Sequence, residues 1–244
     1  MESSGFKSNG GSLLKMKEFE QEYRDQGAYH HRLEGFSQWW MFDNYRILAS
    51  WVESEGRTLD LACGDGMIWR FLKTSDIIGV DHAPTGLRHS RQFARLPLVQ
   101  ADMMALPFKA GSIRNTVCSL SFQYLPGPDL ERCFHELSRI MIKDGRLAFS
   151  YPNIRPPGKG VNLSHAALPY AELKAKLRNS GFRPAAVRGI SLRMPPRFVR
   201  WSVHPFLKPL AGLYYRMSKI ARFFPRRSYH YALCCLNTGE GSGS

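Results

Sequence analysis

A strand that runs into a tight glycine turn constrains this chain more than any other feature. The residues from Thr58 to Gly66 are TLDLACGDG, and the apolar stretch MIWRFL follows them. Glycine lets the backbone bend sharply and lets a ligand approach the main chain, while the start of a helix offers unpaired N–H groups. The pattern predicts a strand, a ligand-binding turn and a helix that begins near Met67.

The next two predicted strands favour a ligand that contains adenosine. The segment from Ile77 to Asp81 ends in a carboxylate, which at this position accepts hydrogen bonds from ribose hydroxyls. After the third strand, Asp102 and Met103 offer a polar and an apolar side chain suited to an adenine. A dinucleotide fingerprint requires a third glycine at position 69, where this chain has Trp69. The spacing therefore disfavours a pyrophosphate-binding turn.

The alternation of apolar runs and helical patterns from Thr58 onward predicts the fold class. Seven strands are expected, near residues 58–61, 77–81, 98–99, 116–121, 146–151, 183–191 and 229–236. Such alternation is typical of a doubly wound α/β fold, with a mostly parallel, Rossmann-like sheet and helices on both faces. A basic helical insertion precedes the last strand.

The chain divides around this sheet. Its two ends are rich in small and polar residues, and residues 1–13 and 239–244 are predicted to be disordered tails. The remaining segments are an N-terminal helical cap at 14–57, a ligand-binding core at 58–193, the basic insertion at 194–227 and the last strand at 228–238.

Positive charge is concentrated in the last third of the chain. Between Leu173 and Gly239 there are 14 Lys and Arg residues and no Asp or Glu, so the other 20 basic residues balance the 20 acidic ones. The net charge of +14 therefore arises there, which implies an anionic surface or substrate.

The insertion at 194–227 contains an amphipathic pattern. Apolar residues between Phe206 and Phe224 share one helix face, and the opposite face carries Lys208, Arg216, Lys219 and Arg222. This composition favours an element that contacts an anionic membrane surface. The alternative is that the apolar face packs on the sheet and the cations are solvated.

Other features limit the class of protein. No segment approaches the roughly 20 apolar residues of a membrane span, and no signal peptide is visible, so a cytoplasmic protein, peripheral at a membrane, is expected. The five cysteines lack the paired spacing of zinc sites, which predicts structural thiols and no metal.

Residues 58–192 resemble the class I S-adenosylmethionine-dependent methyltransferases of the small-molecule, methyltransferase-domain type. The first motif of that family is Asp-x-Gly-Cys-Gly-x-Gly, and it stands here as Asp60 to Gly66, with Ala62 where the family usually has glycine. The resemblance implies S-adenosyl-L-methionine as the cofactor. Its methionine end would contact Asp60 and Gly64, and its ribose Asp81. The full expected cofactor set is Asp60, Ala62, Gly64, Gly66, Asp81, His82, Asp102, Met103 and Ser119.

Fewer residues are candidates to contact the molecule that accepts the methyl group than to contact the cofactor. His165, in the loop after the fifth strand, is a candidate general base or substrate contact, although a histidine there can simply cap the next helix. Tyr29 and Gln123 are candidate substrate contacts. The Asn-Pro-Pro-Tyr signature of amino methylation is absent from the end of the fourth strand, Ser119 to Phe122, which disfavours methylation of base amino groups.

These observations predict a methyltransferase for a small acceptor, lipophilic or anionic, with O-methylation favoured. Two alternatives stay open. An RNA methyltransferase would use the basic last third to contact phosphates. A non-catalytic cofactor-binding or assembly protein would keep the fold without turnover.

Overall fold

A computed structural model describes residues 20–21, 23–153, 167–192, 195–228 and 230–239, without the side chains of Tyr29 and Arg226. Its centre is a seven-stranded sheet of order β3-β2-β1-β4-β5-β7-β6. The strands are β1 (Thr58–Leu61), β2 (Ile77–Asp81), β3 (Leu98–Gln100), β4 (Ile113–Ser119), β5 (Met141–Pro152), β6 (Phe182–Gly189) and β7 (His230–Asn237). The predicted doubly wound fold and all seven strands are confirmed.

The direction of the strands defines one functional edge. Strands β1 to β5 are parallel to one another, whereas β7 is antiparallel to both β5 and β6. The chain moves outward from β1 to β3 and then returns to place β4 beside β1, so the strand order reverses between β1 and β4. Ligands bind at the carboxyl ends of the strands at such a reversal.

Helices cover both faces of the sheet. Residues 20–21 and 23–26 are helical and form the described part of α1. The other helices are α2 (Gly35–Ala49), α3 (Pro84–Ser90), α4 (Gly127–Ile140), α5 (Tyr170–Asn179), α6 (Pro196–Trp201) and α7 (Lys208–Ser218). None of the helices in the described ranges is long and apolar enough to span a membrane.

Alternation along the strands explains how α2 reaches the sheet. In β5, the large side chains of Leu147, Phe149 and Tyr151 belong to the core on the α4 side. The small residue Ala148 points to the other face, as does Ala232 of β7, and both join the core that contains α2. Because side chains alternate between faces with a period of two, small residues on one face leave room for the aromatic residues of α2.

Two sequence expectations about helices need correction. The helix expected from Met67 is a single 3-10 turn, Met67–Arg70, because Gly66 has a φ of 75° and the chain folds back so that the Trp69 ring covers this glycine. The amphipathic helix expected to reach Phe224 is α-helical only to Ser218 and continues as a 3-10 helix, Lys219–Phe223.

Candidate functional site

A cavity of about 460 Å³ opens at the carboxyl ends of β1, β2 and β4. Strand-end residues form its floor, and residues of α1 and α2 form its roof. Its volume is within the range typical of small-molecule sites. In the part of the chain that the structure describes, no group of three or more His, Cys, Asp and Glu residues is arranged to hold a metal ion.

The glycine turn forms the centre of the floor. Gly64 has a φ of 53°, and a Cβ atom added there would lie 2.1 Å from the Tyr23 hydroxyl oxygen. Its backbone N–H donates a 2.7 Å hydrogen bond to Oδ2 of Asp81. A side chain at this position would therefore fill the space above the turn and strain the backbone.

Ala62 has the same kind of backbone conformation without being glycine. Its φ is 56°, in the left-handed region that is costly for residues with a Cβ atom. This is the position at which the related family usually has glycine, so the geometry explains the family's preference. Such strain is typical of functional turns that the surrounding structure holds in place.

Asp81 is rigidly held at the end of β2. Its Oδ2 accepts the hydrogen bond from Gly64, and its Oδ1 accepts one of 2.8 Å from the backbone N–H of Ala83. Burial raises the pKa of Asp81, and the hydrogen bonds from Ala83 and Gly64 oppose that rise. Each carboxylate oxygen has a second lone pair, so the group fits a ribose whose hydroxyls donate to it.

Asp60 is a buried carboxyl at the end of β1. Its Oδ2 accepts a 2.7 Å hydrogen bond from the indole N–H of Trp69. The pKa of Asp60 is raised to about 8, chiefly by burial and further by the nearby Asp81 and Asp65 carboxylates, while the Trp69 hydrogen bond opposes the rise. A site of this kind favours a positively charged ligand group, which would stabilise the ionised carboxylate.

The structure brings nearly all of the expected cofactor residues together. Asp60, Ala62, Gly64, Asp81, His82, Asp102, Met103 and Ser119 line the cavity. Gly66 does not line it, because its role is to admit the Trp69 ring, which an added Cβ would approach to 2.4 Å. Ser119 is fixed by the side-chain amide of Asn44 in α2, which donates a 2.8 Å hydrogen bond to its hydroxyl.

Of the three residues expected to contact the acceptor, only Gln123 has a side chain that the structure describes. Gln123 is buried in the 3-10 turn Phe122–Tyr124, does not line the cavity, and donates a 2.6 Å hydrogen bond to the Leu120 carbonyl. His165 lies outside the described residues, as does the side chain of Tyr29. Both remain predictions.

A histidine and a carboxylate meet at the roof in a pairing that the sequence analysis missed. His30 and Asp65 both line the cavity, and His30 Nδ1 lies 3.1 Å from Oδ1 of the buried Asp65. The backbone N–H of His30 also donates to Oδ2 of Asp65, at 3.1 Å. These contacts hold the imidazole in one orientation. His30 and Asp65 are far apart in the sequence, and no sequence pattern connects them. The only hint is that the glycine turn contains a second carboxylate, Asp65.

His230 also lines the cavity, and no sequence pattern pointed to it. It begins β7 and its ring meets that of Trp40 edge to face, with centroids 4.8 Å apart. Because β7 is antiparallel to β5, its first residue lies at the carboxyl edge of the parallel strands. Topology could have identified it, since the first residue of an antiparallel last strand lies at this edge.

The section of the cavity beneath α2 is largely apolar. Helix α2 and the segment after β4 supply Phe36, Trp40, Met41, Tyr45, Tyr124 and Leu125. Among the described residues that line the cavity there is no Lys or Arg. Among the described residues, the buried indole N–H of Trp40 finds no hydrogen-bond partner and is available to an oxygen of a bound molecule.

A family model described as a methyltransferase domain matches residues 59–149. This range contains β1 to β4 and most of β5, and with them every expected cofactor residue. In a search of curated proteins, no sequence matches the chain.

Solved structures share the fold at low sequence identity. A geranyl diphosphate C-methyltransferase from Streptomyces coelicolor has a TM-score of 0.63 and 16% identity, covering 96% of this chain and 100% of its own. A magnesium protoporphyrin IX methyltransferase from Synechocystis has a TM-score of 0.61 and 14% identity over 96% and 100%. An S-adenosylmethionine-dependent methyltransferase from Thermotoga maritima has a TM-score of 0.61 and 16% identity over 90% and 98%. The likeness thus extends beyond the matched domain, to the cap and the last strands.

Proposed function

We propose that this chain, a class I S-adenosylmethionine-dependent methyltransferase, methylates an oxygen atom of a small, largely apolar acceptor. One observation carries the proposal. The cavity joins the carboxylate-lined floor at Asp60 and Asp81 to an apolar section beneath α2, so one enclosure fits a charged cofactor and an apolar partner.

The residues of the floor fit S-adenosylmethionine, which supplies a methyl group on a positively charged sulfur. Asp81 would accept hydrogen bonds from the ribose, and Asp102 with Met103 would hold the adenine. Asp60 would face the cationic methionine end, where an ionised carboxylate is most useful. Holding the acceptor against this methyl group in a cleft with little water is the main requirement of the reaction.

The section of the cavity beneath α2, where the acceptor would bind, favours a neutral molecule over an anionic one. The cavity is lined by the carboxyl groups of Asp60, Asp65, Asp81 and Asp102, and no described Lys or Arg compensates them. An anionic group beside the floor would be repelled. Aromatic and aliphatic side chains fill the rest of the wall, which suits a lipophilic body with one reactive oxygen.

His30 is placed to act as the general base. When its Nδ1–H faces Asp65, Nε2 is the basic nitrogen, and the carboxylate stabilises the imidazolium that forms. When bound, S-adenosylmethionine would supply the methyl group to the acceptor oxygen, and its sulfur would take the electrons of the broken carbon–sulfur bond. The proton of the acceptor oxygen passes to His30.

Transfer of isotopically labelled methyl groups tests the proposal. The purified chain is incubated with labelled S-adenosylmethionine and either an organic-solvent extract of cells or total RNA, and we expect label only in a small molecule from the organic extract. Label in RNA would favour an RNA methyltransferase, and cofactor binding without transfer to any acceptor would favour a non-catalytic protein. Either outcome would overturn the proposal.

Two matched variants show whether transfer uses this site. Asp81→Ala should weaken S-adenosylmethionine binding by about 1.5–3 kcal/mol, roughly tenfold or more, because charged hydrogen bonds to the ribose are lost. Asp76→Ala removes an exposed carboxylate that pairs with Arg57 outside the cavity, and binding should not change. Equal affinities in the two variants would contradict the assignment of the floor.

A further inference from the structure

Helix α7 docks on the protein through its less hydrophobic face. Its buried residues are Ala211, Tyr215 and Ser218, which recur at the spacing of one helix face. Tyr215 packs against α2, with its ring 5.8 Å from that of Phe36 and 5.7 Å from that of Trp39. The sequence alternative in which the apolar stripe packs on the sheet is therefore wrong for the larger part of that stripe.

The cations expected on the solvent side are in part turned inward. Lys219 Nζ lies 2.8 Å from Oδ2 of the buried Asp43, and Arg222 lies 3.9 Å from its Oδ1. The hydroxyl of Tyr215 donates to the same carboxylate. This cluster fixes the rotation of α7 about its axis, so the opposite face must point away from the protein.

That outward face is a continuous row of exposed apolar side chains, which we term the ridge. It consists of Phe206, Leu210, Leu213, Met217, Ile220 and Phe223, with 88%, 50%, 55%, 68%, 54% and 80% of their surface exposed. Single exposed apolar residues are ordinary, but six along α7, the turn before it and the 3-10 helix after it form a patch of the kind that marks an interaction site.

Charge around the ridge selects its partner. Arg216 projects about 60° from Leu213 around the helix axis, beside the ridge, and Arg200 and Lys208 are exposed nearby in the chain. No acid occurs from Leu173 to Gly239. Two copies that met through their ridges would therefore bring like charges together, whereas an anionic lipid surface complements both the apolar row and the cations.

We propose that the ridge lies in the headgroup region of an anionic membrane, with α7 parallel to the surface. The attachment of α7 and α6 to the roof of the cavity gives this docking a function. The Ser202 hydroxyl, which follows α6, accepts a 2.7 Å hydrogen bond from the backbone N–H of Phe36, a cavity residue. The membrane surface thus lies next to the roof, and a lipid-dissolved acceptor has a short path to the site. The path of the acceptor from the membrane to the site rests on the proposed function, whereas the docking of the ridge does not.

Vesicle co-sedimentation of the full chain tests the docking without any acceptor. The chain should pellet with vesicles of phosphatidylglycerol and phosphatidylcholine more than with phosphatidylcholine alone, and less at high salt, which screens the charges. The double variant Leu213→Gln, Met217→Gln should lose most of this binding. Both positions are exposed, so thermal unfolding and S-adenosylmethionine affinity should match the parent, which separates this test from that of the proposed function.

A charge variant with a matched control completes the experiment. Arg216→Glu should lower partitioning by about fivefold or more, since one cation near an anionic surface contributes about 1 kcal/mol. Lys143→Glu makes the same change in net charge on an exposed residue at the amino end of β5, far from α7, and should have little effect. If both variants lost vesicle binding equally, net charge alone would explain the binding, and the proposal would be overturned.

Two further outcomes would contradict the proposal that the ridge binds an anionic membrane. Equal pelleting with both vesicle types, or no pelleting, would exclude an anionic lipid surface. A dimer in sedimentation velocity that the Leu213→Gln, Met217→Gln variant converts to monomer would assign the ridge to a second copy of the chain.

Discussion

The hydroxyl of Tyr215 donates a 2.7 Å hydrogen bond to Oδ2 of Asp43, and this contact joins α7 to the helix that roofs the cavity. Burial raises the pKa of the Tyr215 phenol, and the Asp43 carboxylate raises it further. The phenol therefore stays protonated and keeps its role as a donor. Lys219 pairs with the same carboxylate oxygen, so a buried charge is both neutralised and hydrogen-bonded.

Tyr215→Phe should lower the free energy of unfolding by about 1.5–3 kcal/mol, because the hydrogen bond that it removes has a charged, buried acceptor. Urea unfolding measures this change. Tyr214→Phe removes the same hydroxyl from a half-buried residue one position earlier, whose ring stacks on Phe198, and should change stability by less than about 0.5 kcal/mol. Equal effects at the two positions would show that the Asp43 contact does not stabilise the docking of α7.

Ala62→Gly should stabilise the chain by up to about 1.5 kcal/mol. The substitution relieves the strain of a left-handed alanine, about 1–2 kcal/mol, against an entropic cost of about 0.5–1 kcal/mol. The control is Ala101→Gly, at another cavity residue whose φ is not positive, and this variant should be destabilised. Thermal unfolding of both variants decides the matter, and a loss of stability in Ala62→Gly would contradict the strain argument.

Cofactor binding near neutral pH should release a proton from Asp60. The pKa of this carboxyl is about 8 in the folded chain, above its ordinary value of 3.8, so the protonated form predominates at pH 7. The stability that this proton contributes is full below the ordinary pKa and is lost as pH rises through about 8. A cationic ligand favours the ionised form and expels the proton.

Calorimetric titration of S-adenosylmethionine in buffers of different ionisation enthalpy measures that release. We expect up to about one proton at pH 7 and a decline above pH 8, where Asp60 is already ionised. Asp60→Asn keeps an acceptor for the Trp69 indole and should abolish the effect. Buffer-independent heats for the parent chain would show that Asp60 does not exchange a proton with the bound cofactor.

His30→Gln should reduce turnover of the acceptor by about a hundredfold or more, with S-adenosylmethionine affinity nearly unchanged. His89→Gln is the matched control, because His89 contacts the Tyr23 carbonyl at 3.2 Å but does not line the cavity. Parent-like turnover in the His30 variant would remove this residue from the proposed reaction.

Local patterns in the sequence identified residues that share the floor of the cavity, because the segments that form this floor are short and contiguous. The run from Asp60 to Gly66 contains the turn, and Asp81 marks a strand end directly. The pairing of His30 with Asp65 could not be predicted, since a loop contact between distant segments leaves no periodic signal. Hydrophobicity alone could not identify the buried face of α7, because the space beside α2 admits Ala211 and the hydrogen-bonding Tyr215 in preference to larger apolar residues.

Strand β7 has a consequence for the order in which the molecule can assemble. It lies between β5 and β6, so β6 has no direct ladder to the rest of the sheet until β7 arrives. During synthesis on the ribosome, β5 must therefore keep an exposed edge while more than sixty further residues emerge. Nascent chains that stop before His230 would present this edge, and chaperones or proteases would meet it before any enzyme exists.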